Sequence, residues 1–253
     1  MSDRETALIV GGGPGISASC ARMFAAQGLQ VAIAARDTAK PALQALAKQH
    51  NVQLISCDAS VPESVASLFS SVVESLGPPR LVVHNIDGRS PDVVRKPITD
   101  VDPAMVLATL HNATYSAFLV GQQAARLMLS AEMDPAPHSH HRGTIIYTNA
   151  SAALKGFPLS GAFAAASQGK AGLAQSMARE LMPQGIHVAQ VPIDAAIGVA
   201  QADGSRRHWA AGETVDDNMA DPDRIAEVYW QLHQQHPSTW AFEMALRPWS
   251  ERW

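Results

Sequence analysis

Cysteine is nearly absent: among 253 residues there are two, Cys20 and Cys57. They lie far apart and form no C-x-x-C pair, which argues against a disulfide framework and suits a reduced interior. An excess of positive charge is missing as well, with 19 basic against 23 acidic side chains, a net of −4, and no basic stripe. Nucleic acid is therefore not an expected partner. No apolar run reaches the ~18 residues of a membrane span. The start, Met1-Ser2-Asp3-Arg4-Glu5, has neither the basic onset nor the long apolar stretch of a signal peptide. A soluble, cytoplasmic protein is the expectation. Metal-ligand clusters are scarce: His138, His140 and His141 stand together in a polar stretch with Asp134 as the nearest acid and no cysteine beside them. That composition reads as a solvated loop with no metal site.

What is present is alternation. Short apolar runs (Thr6 to Val10, Gln30 to Ala35, Val52 to Cys57, Leu81 to His84, Thr144 to Thr148, His187 to Val191) are separated by stretches of helical period. Helices are expected at Ile16 to Gln27, Thr38 to Gln49, Val61 to Leu76, Pro103 to Met133, Ala162 to Leu181 and Pro222 to His236. A short strand from Trp240 to Leu246 ends the pattern, and residues 198–221 are irregular. With no internal repeat or boundary, this predicts one α/β domain over 1–253. Its architecture is a doubly wound, about seven-stranded parallel sheet covered on both faces.

The first strand runs into Gly11-Gly12-Gly13-Pro14-Gly15-Ile16-Ser17 and then a helix. Glycines let the backbone approach a pyrophosphate, and the helix N-terminus offers free N–H groups to the anion. Ser17 stands where a third glycine is usual, small enough for the helix to approach the sheet. The second strand ends Ala34-Ala35-Arg36. An acidic residue there would bind a ribose 2′-hydroxyl, whereas a guanidinium suits a 2′-phosphate, so NADP(H) is expected over NAD(H). The alternative is that Arg36 is a solvated loop residue.

These residues resemble the glycine motif of short-chain dehydrogenases/reductases in its Gly-x-Pro-Gly form. Cys57-Asp58 is similar to the family's aspartate after the third strand. His84-Asn85-Ile86-Asp87-Gly88 resembles its Asn-Asn-Ala-Gly, and Gly185-Ile186-His187-Val188 its Gly-Ile-Arg-Val. The match runs from Thr6 to about Ile197, and the ending Leu246-Arg247-Pro248-Trp249 is similar to that of an atypical branch. The resemblance implies a Rossmann fold, hydride transfer between a nicotinamide cofactor and a small carbonyl or alcohol, and a homodimer or homotetramer. It implies cofactor contacts at Gly12, Gly13, Pro14, Gly15, Ile16, Arg36, Asp58, Ala59, Asn85 and Ile197.

The family's serine, tyrosine and lysine, counted from the strand at Gly143 and from the helix end at Arg179-Glu180-Leu181, fall on Ala150, Phe163 and Ser167. None offers the expected group: a ring without a hydroxyl, a neutral serine for a cation, a methyl for a hydroxyl. The family's helical asparagine falls on Ala113, with Asn112 beside it. Lys170, on the same helical stripe as Phe163, is a candidate substitute whose side chain leans toward the vacant lysine position. Ser151 is a candidate hydrogen-bond donor. His84 and Asp87 are candidate acids or bases. Tyr147 is expected to pack against a helix. Arg206, Arg207, His208 and Trp209 sit in the expected substrate-cleft loop. Two readings stand open: an oxidoreductase with a rearranged acid/base, or a catalytically silent dinucleotide-binding sensor or scaffold.

Overall fold

Strand sequences with apolar residues at every position need cover on both faces, and this sheet has it. In the computed structural model, which describes residues 4–131, 141–201, 205–208, 212–213 and 219–252, six parallel strands form the main sheet. They are β1 (Thr6–Val10), β2 (Gln30–Ala35), β3 (Gln53–Ser56), β4 (Pro79–His84), β5 (Gly143–Ala150) and β6 (Ile186–Ile193). Their order is β3-β2-β1-β4-β5-β6, so the direction of winding reverses between β1 and β4. Alternate residues serve opposite layers. Leu8 and Val10 join one apolar core, with Phe69 of α3 (Pro62–Leu76), Val120 of α5 (Ser116–Ser130) and Ala174 of α6 (Gly161–Leu181). Ala7 and Ile9 join the other, with Phe24 of α1 (Ile16–Ala26), Leu46 of α2 (Pro41–His50) and Tyr229 of α7 (Pro222–Gln234). Among the described residues, no helix is long and apolar enough to cross a membrane.

Two expectations change. The helix predicted from Pro103 to Met133 is broken: α4 (Pro103–Leu110) passes through a π-helical turn at His111–Tyr115 into α5. Its expected last residues lie outside the described ones. The seventh strand is reduced to two isolated parallel bridges, Gln190 with Glu243 and Ile193 with Leu246. Proline explains the gap. On that side β6 presents residues 190, 192 and 194. Gln190 N–H donates to Phe242 O, Asp194 N–H donates to Leu246 O, and Pro192 between them has no N–H. Small strands lie beyond β6: β7 (Ala196–Ile197) beside β11 (Met219–Ala220), and β8 (Val199–Ala200), β9 (Arg206–His208) and β10 (Gly212–Glu213) in a separate ribbon.

Tyr147 is a core residue, as expected. It is fully buried, its hydroxyl 3.3 Å from Ala117 O and 3.1 Å from Met177 Sδ, and burial holds its pKa high. Gly121 on α5 leaves it room, since a methyl group there would fall 1.9 Å from the Tyr147 hydroxyl. Near the N-terminal ends of the strands His233 links Glu5 (3.1 Å) to Thr144 (2.9 Å), His141 also reaches Thr144 (2.9 Å), and His187 stacks on Trp240. Burial, with the charges of His233, Arg80 and His187, lowers the His141 pKa to about 4.

Gly121→Ala is expected to destabilise by about 1–3 kcal/mol through overpacking, with Tyr147→Phe in the same chain restoring part of the loss. Thermal melts of the single and double variants decide it, and independent, additive effects would refute the contact. Acid acts on the histidine cluster. The unfolded chain takes up His141's proton near pH 6.5, whereas the folded chain resists it to about pH 4. Stability is therefore full above pH 6.5 and is lost as pH falls through that window. A melting temperature several degrees lower at pH 5 than at pH 7.5, with the slope reduced in His141→Gln, is the expected outcome.

Candidate functional site

The site begins where the winding reverses. Gly11 follows β1 in a left-handed conformation, φ +106°, and a methyl group on it would come within 2.4 Å of Asn85 O. Only glycine permits that approach. Its N–H and that of Gly12 both donate to Ala34 O at 3.0 Å, tying the loop to the end of β2. Ser17 does more than stay small. Its buried hydroxyl donates to Gly11 O at 2.5 Å and accepts from the Asn85 amide at 2.6 Å, joining helix, loop and β4. Helix α1 starts at Ile16 after Gly15, with no side-chain cap and no acidic residue in its first turn. That leaves its N–H groups and dipole available to an anion.

A cleft of about 540 Å³ opens here. Gly12, Gly13, Arg36, Asp58, Ala59 and Asn85 line it, so six of the residues expected at the cofactor site meet around one space. Pro14, Gly15, Ile16 and Ile197 do not line it. Ile16 is buried in the core, and Gly15 faces Ile197 and Val199, whose methyl groups lie 3.8 and 3.7 Å from its virtual Cβ. The β7–β8 segment thus lies against the helix N-terminus at one end of the cleft. The Asp58 carboxylate, held by the Ser60 N–H (2.9 Å) and hydroxyl (2.6 Å) and near the Arg36 charge, titrates below the usual carboxylate range.

Three of the other lining residues, none of them among the expected cofactor contacts, bear on the chemistry of the cleft. Lys40, just before α2, joins Arg36 on the β2 side. Its signal was a second cation four residues after Arg36. Asn112 lines the cleft from the π turn, while Ala113 is buried against Gly88. The extra residue of a π turn rotates the positions around it, which counting back along a regular helix cannot reveal. Arg89, after Asp87-Gly88, is the third.

The three positions counted for serine, tyrosine and lysine lie on adjacent elements. Ala150 and Phe163 share a small apolar cluster with Ala152 and Ala164, and Ser167 is buried one helical turn from Phe163. Lys170 is also buried. Its ammonium donates to Ile86 O at 2.7 Å, so it reaches the loop after β4. Desolvation, opposed by the charge of Asp87, lowers its pKa to about 8. Ser151 opens the turn after β5, half-buried beside Ala150. His84 stays out of the cleft. It is buried, hydrogen-bonded to Ser116 at 2.8 Å, and desolvation together with the Lys170 charge keeps it neutral. Asp87 is exposed at the rim, accepting from the Arg89 N–H at 2.9 Å.

At the end of β6, beside Ala150, buried Asp194 faces Lys155 (3.1 Å) and Arg247 (3.7 Å). Trp209, His138, His140 and Asp134 lie outside the described residues. Arg207 and His208 lie on β9. Among the described residues, no group of three or more metal-ligating side chains is spaced to hold an ion.

A family model described as enoyl-(acyl carrier protein) reductase matches residues 11–239. MabA, a 3-oxoacyl-[acyl-carrier-protein] reductase of Mycobacterium avium, is 29% identical over 183 residues, 72% of this chain and 63% of that protein. The chain thus spans less than two thirds of MabA's length. A (+)-borneol dehydrogenase of Salvia officinalis is 30% identical over 206 residues, covering 79% of this chain and 73% of its own. A crystal structure of a short-chain dehydrogenase from Rhodopseudomonas palustris superposes with a TM-score of 0.76 at 30% identity, covering 97% of this chain and 99% of the other. By the extent of the family match and by this likeness in both sequence and fold, the chain belongs to the short-chain dehydrogenase/reductase family.

Proposed function

We propose that the protein is an NADP(H)-dependent oxidoreductase acting on a small carbonyl or alcohol, with a rearranged acid/base site. The observation that carries this is the cleft at the β1–β4 reversal, with Arg36 and Lys40 together on its β2 side. Two cations at the strand end that receives the adenosine ribose favour a 2′-phosphate. The bare N-terminus of α1, with Gly12, Gly13, Pro14, Gly15 and Ile16, receives the pyrophosphate. Asp58 and Ala59 border the adenine, and Ile197 closes the end near Gly15. Bound there, the nicotinamide supplies or accepts hydride.

The chain's own residues prepare the other side of the reaction. Asn85 is held by Ser17 and so keeps the floor of the cleft fixed. Ser151 offers a hydroxyl to the substrate oxygen. Lys170 is a positioning residue: it holds the Ile86 carbonyl, and its positive charge supports the site from beneath. Assembly as a homodimer or homotetramer belongs to the same proposal, with Leu107, Tyr115 and Phe118 left exposed along α4 and α5.

One observation favours a second reading, a catalytically silent dinucleotide-binding sensor or scaffold. Ala150 and Phe163 lie in an apolar cluster, and neither carries a proton to give. General acid–base catalysis contributes about 10²–10⁴-fold in rate. A protein without it would bind cofactor and turn over slowly or not at all.

Calorimetric titration is expected to give NADPH at least about 10-fold tighter than NADH, as charge-assisted phosphate contacts require. Arg36→Ala with Lys40→Ala is expected to abolish that preference while leaving NADH unchanged; equal affinities in the unaltered protein would overturn the NADP(H) assignment. Turnover on a panel of carbonyls should fall as pH rises through about 8, where Lys170 loses its charge. Lys170→Met should remove that limb of the profile, and Ser151→Ala should lower kcat about 10-fold. Tight NADPH binding without turnover on any carbonyl would select the silent reading.

A further inference from the structure

We propose that the substrate end of the cleft recognises a carboxylate, and that Arg89 is the residue that binds it. The proposal deepens the oxidoreductase reading and rests on it for the location of the substrate. Arg89 leaves the loop after β4 and lays its guanidinium over the ring of Phe163, its Cζ 4.9 Å from the ring centroid. Phe163 is the residue counted for the family's tyrosine. A cation therefore sits against the ring that lacks a hydroxyl, half-buried at the lip of the cleft.

The donors of that guanidinium are unspent. It makes no side-chain hydrogen bond among the described residues, and its enclosed Nε faces Asp87 without hydrogen-bonding to it. Its one ion pair is with Asp87 at 3.6 Å, too long for a hydrogen bond, and the other Asp87 oxygen is taken by the Arg89 backbone N–H at 2.9 Å. Two other cations are engaged by shorter contacts: Lys155 with Asp194 at 3.1 Å and Lys170 with Ile86 O at 2.7 Å. His208 is held below its usual pKa by burial and by the charge of Arg89 itself, so it contributes no counter-charge at neutral pH.

An aromatic face on one side and free N–H groups on the edge are the arrangement in which arginine grips a planar, two-oxygen acceptor. Phe163 itself packs with Ala150, Ala152, Ala164 and half-buried Val94, so the side of the guanidinium that faces the ring is apolar. The ligand class that fits is a small oxo acid or hydroxy acid, its carboxylate on Arg89. Arginine does not release a proton at working pH, so its role is binding and orientation, distinct from the acid/base.

The test uses short-chain 2-oxo and 3-oxo acids and their methyl esters. Each is titrated into the NADPH-saturated protein and, separately, into the cofactor-free protein by calorimetry. At least one acid is expected to bind at least about 10-fold more tightly than its ester, the effect of one charge-assisted contact. Arg89→Gln should erase the difference and Arg89→Lys restore part of it, in the cofactor-free as well as the NADPH-saturated protein. Equal binding of acid and ester, or a preference that survives Arg89→Gln, would overturn the proposal. Failure of NADPH to bind the unaltered protein would defeat the cofactor reading alone, because the cofactor-free titrations still compare acid with ester.

Discussion

Between β1 and β4 the backbones of Gly11 and Asn85 lie so close that a methyl group on Gly11 would overlap the Asn85 carbonyl. The order of strand addition reverses at this contact, and the rest of the site is arranged around it. Ser17 binds both partners, so the start of α1, the glycine loop and the end of β4 move as one piece. One residue further along the β4 loop, Lys170 holds the Ile86 carbonyl from α6. The loop is thus fixed from both layers of the fold before it reaches Asp87 and Arg89. A cleft walled by backbone fixed in this way needs little reorganisation on binding, which is the physical content of preorganisation.

Burying Lys170 carries a cost that its surroundings reduce without removing. A carbonyl oxygen at 2.7 Å and the nearby charge of Asp87 favour the ammonium, while desolvation disfavours it. The balance leaves a cation close to losing its proton in the ordinary pH range. Burial, with the charge of Lys170, keeps His84 neutral in the core, although His84 ends β4 at the start of the motif and resembles a site residue by position alone. Charges of both signs line the cleft, Arg36 and Lys40 with Asp37 and Asp58, and Arg89 with Asp87, while Lys170 lies below the loop at Ile86.

Much of this was legible because it depends on short-range spacing. A strand, a glycine turn and a helix in succession define one wall of the cleft, and Arg36 follows from the end of the second strand. Ala150, Phe163 and Ser167 follow from counting along one strand and one regular helix. Counting failed where geometry was irregular. The π turn at His111–Tyr115 brings Asn112 to the cleft and buries Ala113. Pro192 interrupts the last ladder by removing a single donor. Neither the rotation of a π turn nor the side of a strand on which a proline's missing N–H falls is specified by local propensity.

The sequence by itself determined the layered α/β architecture, the glycine loop between β1 and α1, and the residue types Ala150, Phe163 and Ser167 at three fixed intervals. These depend on periodicity and on residue identity at fixed intervals. Only the tertiary structure decided which side chains share the cleft. Lys40 comes to Arg36, Arg89 comes to rest on Phe163 from a loop 74 residues earlier, and Lys170 turns to Ile86. Such contacts between distant segments follow from how helices pack on a twisted sheet, where burial and hydrogen bonding across layers override the reach suggested by any one helix.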